Sequence, residues 1–493
     1  MLGPMLWLEI HRLLPTVARI ASLSFTGVGF ALIPLVLVRR KEPSSTIAWI
    51  LTLVFLPALG AGLFLLFGRD RVRWPAKRKR ELDALVRAQV AASRDESPDA
   101  DGLEHLPLEY PLERALFQIG ARLAQQRATS GNRVDVLADG NTTYDRIGAA
   151  IDAARHHVHA QYYLIRDDAT GRWFRDRLVA AAERGVTVRL LLDGYGCFAL
   201  GAAWRRPLRK AGVRIGDFLP MRSVLLQPVN LRNHRKIVVV DGEVAFTGGF
   251  NIGDEYRGQM RGIGDWRDLH LRIEGRAAAE LQRVFFEDWA FATREPIAPG
   301  DYFPKDSLDR GDATVAVVTS GPDTRNEAIH NLFFAAIAGA EREVLVTTPY
   351  FVPTEPLLVA MEVAAMRGVD VKLLLPGRSN HMVTFHAGRS FYSQLLEAGV
   401  ELREYVPGIV HAKTLVADGK VALVGSANMD VRSFRLNFEV HTLVHDATTA
   451  DAIRQTFRTE AVDSRRVDLS AWQGRPWTLR VKEGAARLVS PLL

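Results

Sequence analysis

The chain has 493 residues, 48% of them hydrophobic, and a formal net charge of +7. That length suggests roughly two to four folded units with ample apolar content for a core, and the positive balance points to anionic partners, either nucleic acid or an acidic lipid surface. The lone cysteine, Cys197, excludes an intrachain disulfide framework and a cysteine-rich metal site. With no activating pattern beside it, Cys197 reads as a small packed residue.

The most apolar part of the chain comes first. Ile20–Val38 runs 19 residues without a charge and Ile47–Phe67 runs 21, each long enough to cross a bilayer at about 1.5 Å per residue. A secretory leader has a shorter apolar core and no second span behind it. The spacing therefore predicts a transmembrane helical hairpin within residues 1–69, with spans near 20–38 and 47–67, and Pro34 and Pro57 are better tolerated in membrane helices than in soluble ones. Arg39, Arg40 and Lys41 lie between the spans, whereas Arg69, Arg71, Arg73 and Lys77 to Arg80 follow the second. The larger basic cluster stays cytoplasmic by the positive-inside rule, which places both termini and the rest of the chain inside.

Residues 70–130 read as a connector. The run Lys77-Arg78-Lys79-Arg80 suits anionic headgroups or solvent. Asp95–Glu104 is acidic and broken by Pro98 and Gly102, which predicts a loop. Pro111–Gln126 carries Leu112, Leu116, Ile119 and Leu123 at helical spacing, the pattern of an amphipathic helix docked on a larger body.

From here the chain repeats itself, with halves expected at 131–296 and 297–493. Helix Tyr144–Arg155, strand Val158–Leu164, helix Trp173–Arg184 and strand Val186–Leu192 are followed in the second half by Asn326–Ala340, Val344–Thr348, Glu355–Arg367 and Val369–Leu375. Residues echo the pattern: Arg184-Gly185-Val186 matches Arg367-Gly368-Val369, and Ala211-Gly212-Val213 matches Ala398-Gly399-Val400. Alternating strands and helices predict an α/β fold, each half a mixed and mostly parallel sheet flanked by helices, with the halves related by a pseudo-twofold axis. The Pro- and Gly-rich stretch Thr293–Asp312 separates them.

One stretch recurs with strict spacing. His234 and Lys236 are two apart and Asp241 follows five after the lysine; His411, Lys413 and Asp418 repeat this, and Gly248-Gly249-Phe250-Asn251 answers to Gly425-Ser426-Ala427-Asn428. Residues two apart on a strand share a face, so each His and Lys point together. The apolar runs that follow suit strands buried on both faces, and Asp-Gly is a strong hairpin signal. The return strands then bring small residues and an Asn back beside the His, where backbone can approach a ligand closely.

This pattern resembles the paired HKD motifs of the phospholipase D superfamily. The flanks, Thr348-Pro349-Tyr350-Phe351-Val352-Pro353, Met429-Asp430-Val431-Arg432-Ser433-Phe434 and the ending Arg487-Leu488-Val489-Ser490-Pro491-Leu492-Leu493, are similar to bacterial cardiolipin synthases. The resemblance implies an inner-membrane phosphatidyltransferase that joins two phosphatidylglycerol molecules into cardiolipin and releases glycerol. Phosphatidylglycerol and anionic lipid are then the expected partners, with no nucleic acid and no cofactor or metal. One histidine, expected to be His234, forms a phosphohistidine, and the other, His411, protonates the leaving alcohol and deprotonates the incoming one. Lys236, Lys413, Asn251 and Asn428 are expected to hold the phosphoryl oxygens, and Asp268 and Glu439 to orient the histidines. Asp241 and Asp418 belong to the motif by family convention, but their place at a hairpin turn predicts that they stabilise it rather than touch phosphate.

Four alternatives stand beside this reading: a hydrolase of the same type, a transferase using another alcohol, a membrane-tethered nuclease, and a non-catalytic membrane scaffold that retains the fold, against which the intact residues of both motifs argue. Tyr162, Tyr163, Tyr350 and Phe351 suit either packing or the cleft wall, His381 and His386 read as loop or helix-face residues, and Glu243 and Arg272 as scaffold.

Overall fold

The computed structural model describes residues 27–38, 43–67, 73–93, 111–124, 128–220 and 231–489, the last with interruptions at 259–261, 263, 296–301, 305–308, 325–326 and 380. The chain forms two compact units, Met1–Val72 with Val224–Asn230, and Arg73–Ser223 with Leu231–Leu493.

In the first unit, helices run over 27–38, Pro43–Phe55 and Pro57–Phe67. Val36, Leu53, Ala61 and Phe64 form its core. Gly29 permits close helix contact, since a Cβ there would lie 2.7 Å from the Leu53 carbonyl oxygen. The expected continuous span Ile47–Phe67 is instead two helices of 13 and 11 residues. Pro57 has no N–H to offer four residues back and sits at the first position of the second helix, so one helix ends where the next begins. Among the described residues no helix is long and apolar enough to cross a membrane. The beginning of the first expected span, the basic loop Arg39–Lys41 and the acidic loop Asp95–Glu104 lie outside the described residues.

The second unit is built on one 16-stranded sheet. At its middle, Ala128–Leu137 pairs antiparallel with Ala313–Ser320. Outward on one side come His270–Glu274, Val244–Gly248, Ile237–Val240, His157–Tyr162, Thr187–Asp193 and Arg214–Phe218. On the other side come Asn437–His445, Val421–Gly425, Thr414–Ala417, Glu343–Thr347, Asp370–Pro376 and Glu401–Tyr405, followed by Ser464–Arg466 at the edge. The two orders mirror each other, which is the pseudo-twofold repeat expressed as topology.

The sheet is mixed, but it is not mostly parallel as expected. The outer three strands of each repeat pair in parallel, because a helix carries the chain back between them. Along the rest of the sheet path the pairings are antiparallel, including both motif hairpins, whose tight turns allow nothing else. The helices Gly140–Ala153 and Ala169–Glu183 begin a few residues before the expected positions because Asp139 and Asp168 cap them, each accepting a 2.8 Å hydrogen bond from Thr142 N and Gly171 N.

Side chains of the motif strands alternate between cores, as burial on both faces requires. Ile237 and Val239 enter a central core with helices Arg276–Thr293 and Ala447–Val462, while Val238 and Val240 enter the first-half core. Val416 and its neighbours Leu415 and Ala417 divide in the same way. The amphipathic helix Pro111–Ala124 packs Leu116 and Phe117 into the second-half core. Cys197 is buried.

The connector helix Arg73–Ser93 departs from the sequence reading. Lys79, in the middle of the basic run, is only 1% exposed and pairs with Asp83 at 2.9 Å and Asp288 at 3.0 Å. Arg80 donates to the Asp323 carbonyl at 2.7 Å. Lys79, from the run that suited headgroups or solvent, is therefore turned inward, because the buried carboxylate of Asp288 requires a cation.

Candidate active site

Each motif hairpin turns through an Asp-Gly pair with positive φ at both residues, +54° and +70° at Asp241-Gly242 and +54° and +69° at Asp418-Gly419. This is the hairpin geometry that Asp-Gly favours. The Asp241 carboxylate accepts from the backbone N–H groups of Arg155, His156 and His157 at 2.8–2.9 Å. Asp418 accepts from Glu341, Arg342 and Glu343 at 2.8–3.1 Å. Both aspartates therefore fasten the hairpin turn to the start of the neighbouring strand. They lie five residues from the motif lysines, roughly 16 Å along the strand.

At the other end of these strands the halves exchange segments. Arg232–Asn233 pairs with the start of Asn437–His445, and Gly408–Val410 pairs with Asp265–Arg267. The His234 N–H donates to Phe438 O at 2.9 Å and the His411 N–H to Arg267 O at 2.6 Å. Each histidine is thus carried to the carboxylate of the opposite half. His234 Nδ1 lies 3.0 Å from Glu439 Oε2, and His411 Nδ1 lies 2.6 Å from Asp268 Oδ2. The two imidazoles are 12% and 10% exposed, so each keeps an edge open while its Nδ1 is held. With Nδ1–H donated to a carboxylate, Nε2 presents a lone pair.

The lysines sit beneath the rings. Lys236 Nζ donates to the His234 carbonyl at 2.6 Å, and Lys413 Nζ lies 2.7 Å from His411 Nδ1 and also donates to the His411 carbonyl. Burial lowers Lys236 to about 7 and Lys413 to about 8, although Glu439 and Asp268 oppose the shift. Burial also lowers both histidines. His411 falls to about 3 because the Lys413 cation adds to burial, and His234 moves in the same direction. Burial alone would raise Glu439, but His234, Lys236 and Ser426 hold it at about 2; Lys413 and His411 likewise keep Asp268 ionised against its burial.

Asn251 and Asn428 occupy matching places, each with a buried side-chain oxygen that has no hydrogen-bond partner among the described residues. The Asn251 amide nitrogen donates to Tyr256 Oη at 2.9 Å. Of the aromatic candidates, Tyr163 packs its ring 4.9 Å from His234 and Tyr350 lies 6.2 Å from His411, whereas Tyr162 and Phe351 are in the cores. His381 precedes the helix Met382–Arg389 and packs on Tyr350, and His386 lies within that helix. Arg272 pairs with Asp135 and Glu274, and Glu243 with Arg310. Among the described residues no His, Cys, Asp and Glu cluster suits a metal ion.

Several site residues escaped the sequence reading. Arg235, Asn233 and Gln161 converge on Asp288 at 2.6–2.9 Å, a buried network directly behind His234. Trp266 packs 5.0 Å from His411. Buried His270 and His441 accept the N–H of Phe250 and Ala427 at 3.2 and 3.1 Å, and so hold the turns that carry Asn251 and Asn428. A signal for the last pair was present: Asp268-Leu269-His270 and Glu439-Val440-His441 share one acid–apolar–histidine pattern.

Known proteins are similar to this chain along most of its length. The family described as cardiolipin synthase, PLD-like domain, matches residues 147–289 and 333–460, and a phospholipase D-nuclease N-terminal family matches 29–69. The chain is 39% identical to a cardiolipin synthase of Geobacillus kaustophilus, over 92% of this chain and 90% of that one. It is 37% identical to cardiolipin synthase 1 of Bacillus anthracis, over 96% and 93%. The fold is also that of the crystal structure of Haemophilus influenzae phosphatidylserine synthase, with a TM-score of 0.60 at 14% identity over 78% of this chain and all of that one. Two motif hairpins in mirrored halves, each histidine completed by the other half's carboxylate, and similarity along nearly the whole length place this chain in the phospholipase D-like cardiolipin synthase family.

Proposed function

We propose that the protein is a cardiolipin synthase, moving the phosphatidyl group of one phosphatidylglycerol onto the terminal hydroxyl of a second and releasing glycerol. The observation that carries the reading is the crosswise pairing of His234 with Glu439 and His411 with Asp268, with Lys236 and Lys413 beneath. A phosphodiester attacked on one side must lose its leaving oxygen on the other, and two imidazoles from opposite halves suit that demand.

His234 Nε2 attacks phosphorus, the bond to the glycerol oxygen breaks, and His411 gives that oxygen a proton. The second lipid's hydroxyl then passes its proton to His411 and attacks the phosphohistidine, forming the new P–O bond and freeing His234. Burial and the Lys413 cation hold His411 down to about 3. A bound phosphodiester anion offsets that cation and raises His411 so that it can carry the proton. Lys236, Lys413, Asn251 and Asn428 stabilise charge on the phosphoryl oxygens. Asp241 and Asp418 act on the hairpins rather than on the phosphate.

The N-terminal unit supports membrane residence. Phe30, Leu37, Val38, Ile47, Phe55 and Leu59 are exposed on its helices, an apolar surface suited to lipid. We read it as the anchor, with both chain ends and the catalytic halves, 131–296 and 297–493, on the cytoplasmic side of the bacterial inner membrane. Transfer requires the lipid hydroxyl to outcompete water, and anchoring concentrates acceptor lipid around the enzyme. Retention of the protein in carbonate-washed membranes is expected; its release would remove the anchor from this reading.

Purified protein in mixed micelles with phosphatidylglycerol as the only phospholipid tests the reaction. Cardiolipin with matching glycerol, lost in His234→Ala and His411→Ala, is expected. Phosphatidic acid without cardiolipin would make the protein a hydrolase. Mass spectrometry of the trapped intermediate fixes the order, and a phosphohistidine at His411 would reverse the two roles.

A further inference from the structure

The final helix of the catalytic unit, Trp477–Val489, is attached by a narrow seam. Glu483, only 3% exposed, pairs with Arg389 at 3.5 Å and Arg475 at 3.2 Å, and Ala486 packs on the second-half core. Residues 477–482 are all exposed. At about 100° per residue, Trp477, Val481 and Leu488 fall on one stripe about 40° wide, on the side of the helix opposite Glu483 and Ala486. Their exposures are 72%, 58% and 83%, so this apolar stripe faces away from the protein.

Charge is arranged around the stripe. Arg480 lies on one edge, with Arg487 nearer the seam and stacked 4.4 Å from the Phe391 ring, and Lys482 lies on the other, while the helix's sole acid, Glu483, is the buried seam residue. The adjoining helix Met382–Arg389 adds Met382 and Val383, 54% and 44% exposed. An outward apolar stripe with an aromatic end, cations on both flanks and no exposed acid has the chemistry of a helix lying in a membrane interface. A neutral protein partner would not call for cations on both edges.

We propose that helix Trp477–Val489, with Met382 and Val383 beside it, is a docking face by which the catalytic unit seats on an anionic bilayer surface. Its place relative to the site gives it a purpose. The helix that carries Met382 starts after His381, whose ring is 5.3 Å from Tyr350, and Tyr350 is 6.2 Å from His411. The face therefore begins two ring contacts from a catalytic histidine, where lipid leaving the bilayer would meet the site. That consequence for catalysis rests on the cardiolipin synthase reading; the docking itself does not.

Because Cys197 is buried, Trp477→Cys in the full chain supplies one accessible thiol for an environment-sensitive dye. After reconstitution, its emission is expected to shift to the blue in phosphatidylcholine vesicles containing phosphatidylglycerol and to shift less in phosphatidylcholine alone. Lys210→Cys, exposed at the end of helix Ala202–Lys210, is the control that should not move. No shift at position 477, or an equal shift with neutral lipid, overturns the proposal. A shift in detergent that grows with protein concentration would make the face a protein interface and overturns it equally. Arg480→Glu with Lys482→Glu should raise KM severalfold for vesicle phosphatidylglycerol and leave kcat on monomeric short-chain phosphatidylglycerol unchanged. If no variant or parent forms cardiolipin from either substrate, the synthase reading fails, and the dye still decides the docking.

Discussion

Glu439 belongs to the second half of the sheet, yet its carboxylate is the partner of His234 in the first, at 3.0 Å; Asp268 repeats the relation in reverse with His411. Each repeat therefore carries an incomplete site, and only the docked pair has two oriented imidazoles. Glu439→Gln should lower phosphatidyl transfer by roughly two to four orders of magnitude, because an amide no longer enforces the Nδ1–H tautomer or stabilises the imidazolium. Asp268→Asn should do the same, and the double variant should be little worse than the poorer single one, since the two histidines act in one reaction. Steady-state transfer with unchanged circular dichroism checks this. Additive losses would show that the two pairs work independently.

The lysines give stability and activity opposite pH trends. Lys236 and Lys413 titrate near 7 and 8 in the folded protein, against a reference of 10.5. Above pH 7 the unfolded chain therefore binds more protons at these positions than the folded one does, so their contribution to unfolding free energy rises with pH from about 7 to about 10.5. Phosphate binding needs both cations, so kcat/KM should decline between about pH 7 and about pH 9. The acid limb should lie below 6.5, where His234 loses its neutral form. Urea unfolding of Lys236→Met should show a flatter rise with pH. A parent whose stability and kcat/KM decline together would contradict the account.

Asp241 and Asp418 separate two meanings of a motif residue. Each accepts three backbone N–H groups far from the phosphate end of its hairpin. Asp241→Ala or Asp418→Ala should cost about 2–3 kcal/mol of stability and leave the folded fraction within roughly tenfold of parental kcat. Activity lost as completely as in His234→Ala, in protein of parental stability, would show that the aspartates reach the reaction.

What was legible in the sequence follows from how local each signal is. The motif hairpins were readable because Asp-Gly, the apolar runs and the His–Lys spacing lie within a few residues, and the repeat doubled the signal. The dominance of antiparallel pairing was implicit in those hairpins but was masked by the strand–helix alternation around them. Which acid serves which histidine was not legible, since Glu439 and Asp268 stand in equivalent places and only the exchange of Arg232–Asn233 and Gly408–Val410 between halves decides it. The break at Pro57 was visible as a residue, whereas its outcome depends on packing around Leu53 and Phe64.

Lys79 illustrates the same limit and yields a further prediction. In a run of four cations nothing local marks it out, but its ammonium lies between Asp83 and Asp288, and Asp288 holds Arg235 and Asn233 next to His234. Burial would lower Lys79, yet the two carboxylates more than offset it and hold it charged. Lys79→Met leaves them without that cation and should cost about 3–5 kcal/mol, read as a lower urea midpoint at unchanged m-value. A loss below about 1 kcal/mol, the range of a surface pair, would mean that the helix is not seated as described.

One difference between the two small-residue turns, Gly249 against Ser426, has a physical cause. At Gly249 a Cβ would fall well inside van der Waals distance of Asp268 Oδ1, so the first half has no room for a side chain beside its carboxylate. In the second half the equivalent Ser426 fits, and its hydroxyl donates to Glu439. Ser426→Ala therefore removes a donor from an ionised carboxylate, with an expected stability cost of about 1.5–3 kcal/mol, and should keep measurable transfer because His234 and Lys236 still hold Glu439. Gly249→Ala should be the more damaging change despite adding a single methyl group. It must push Asp268 off His411, at about 1–3 kcal/mol in stability and at least about 100-fold in transfer, as for loss of an orienting carboxylate. Parallel measurement of unfolding and of cardiolipin formation distinguishes the two. Near-parental transfer in Gly249→Ala would show that Asp268 can move without releasing His411.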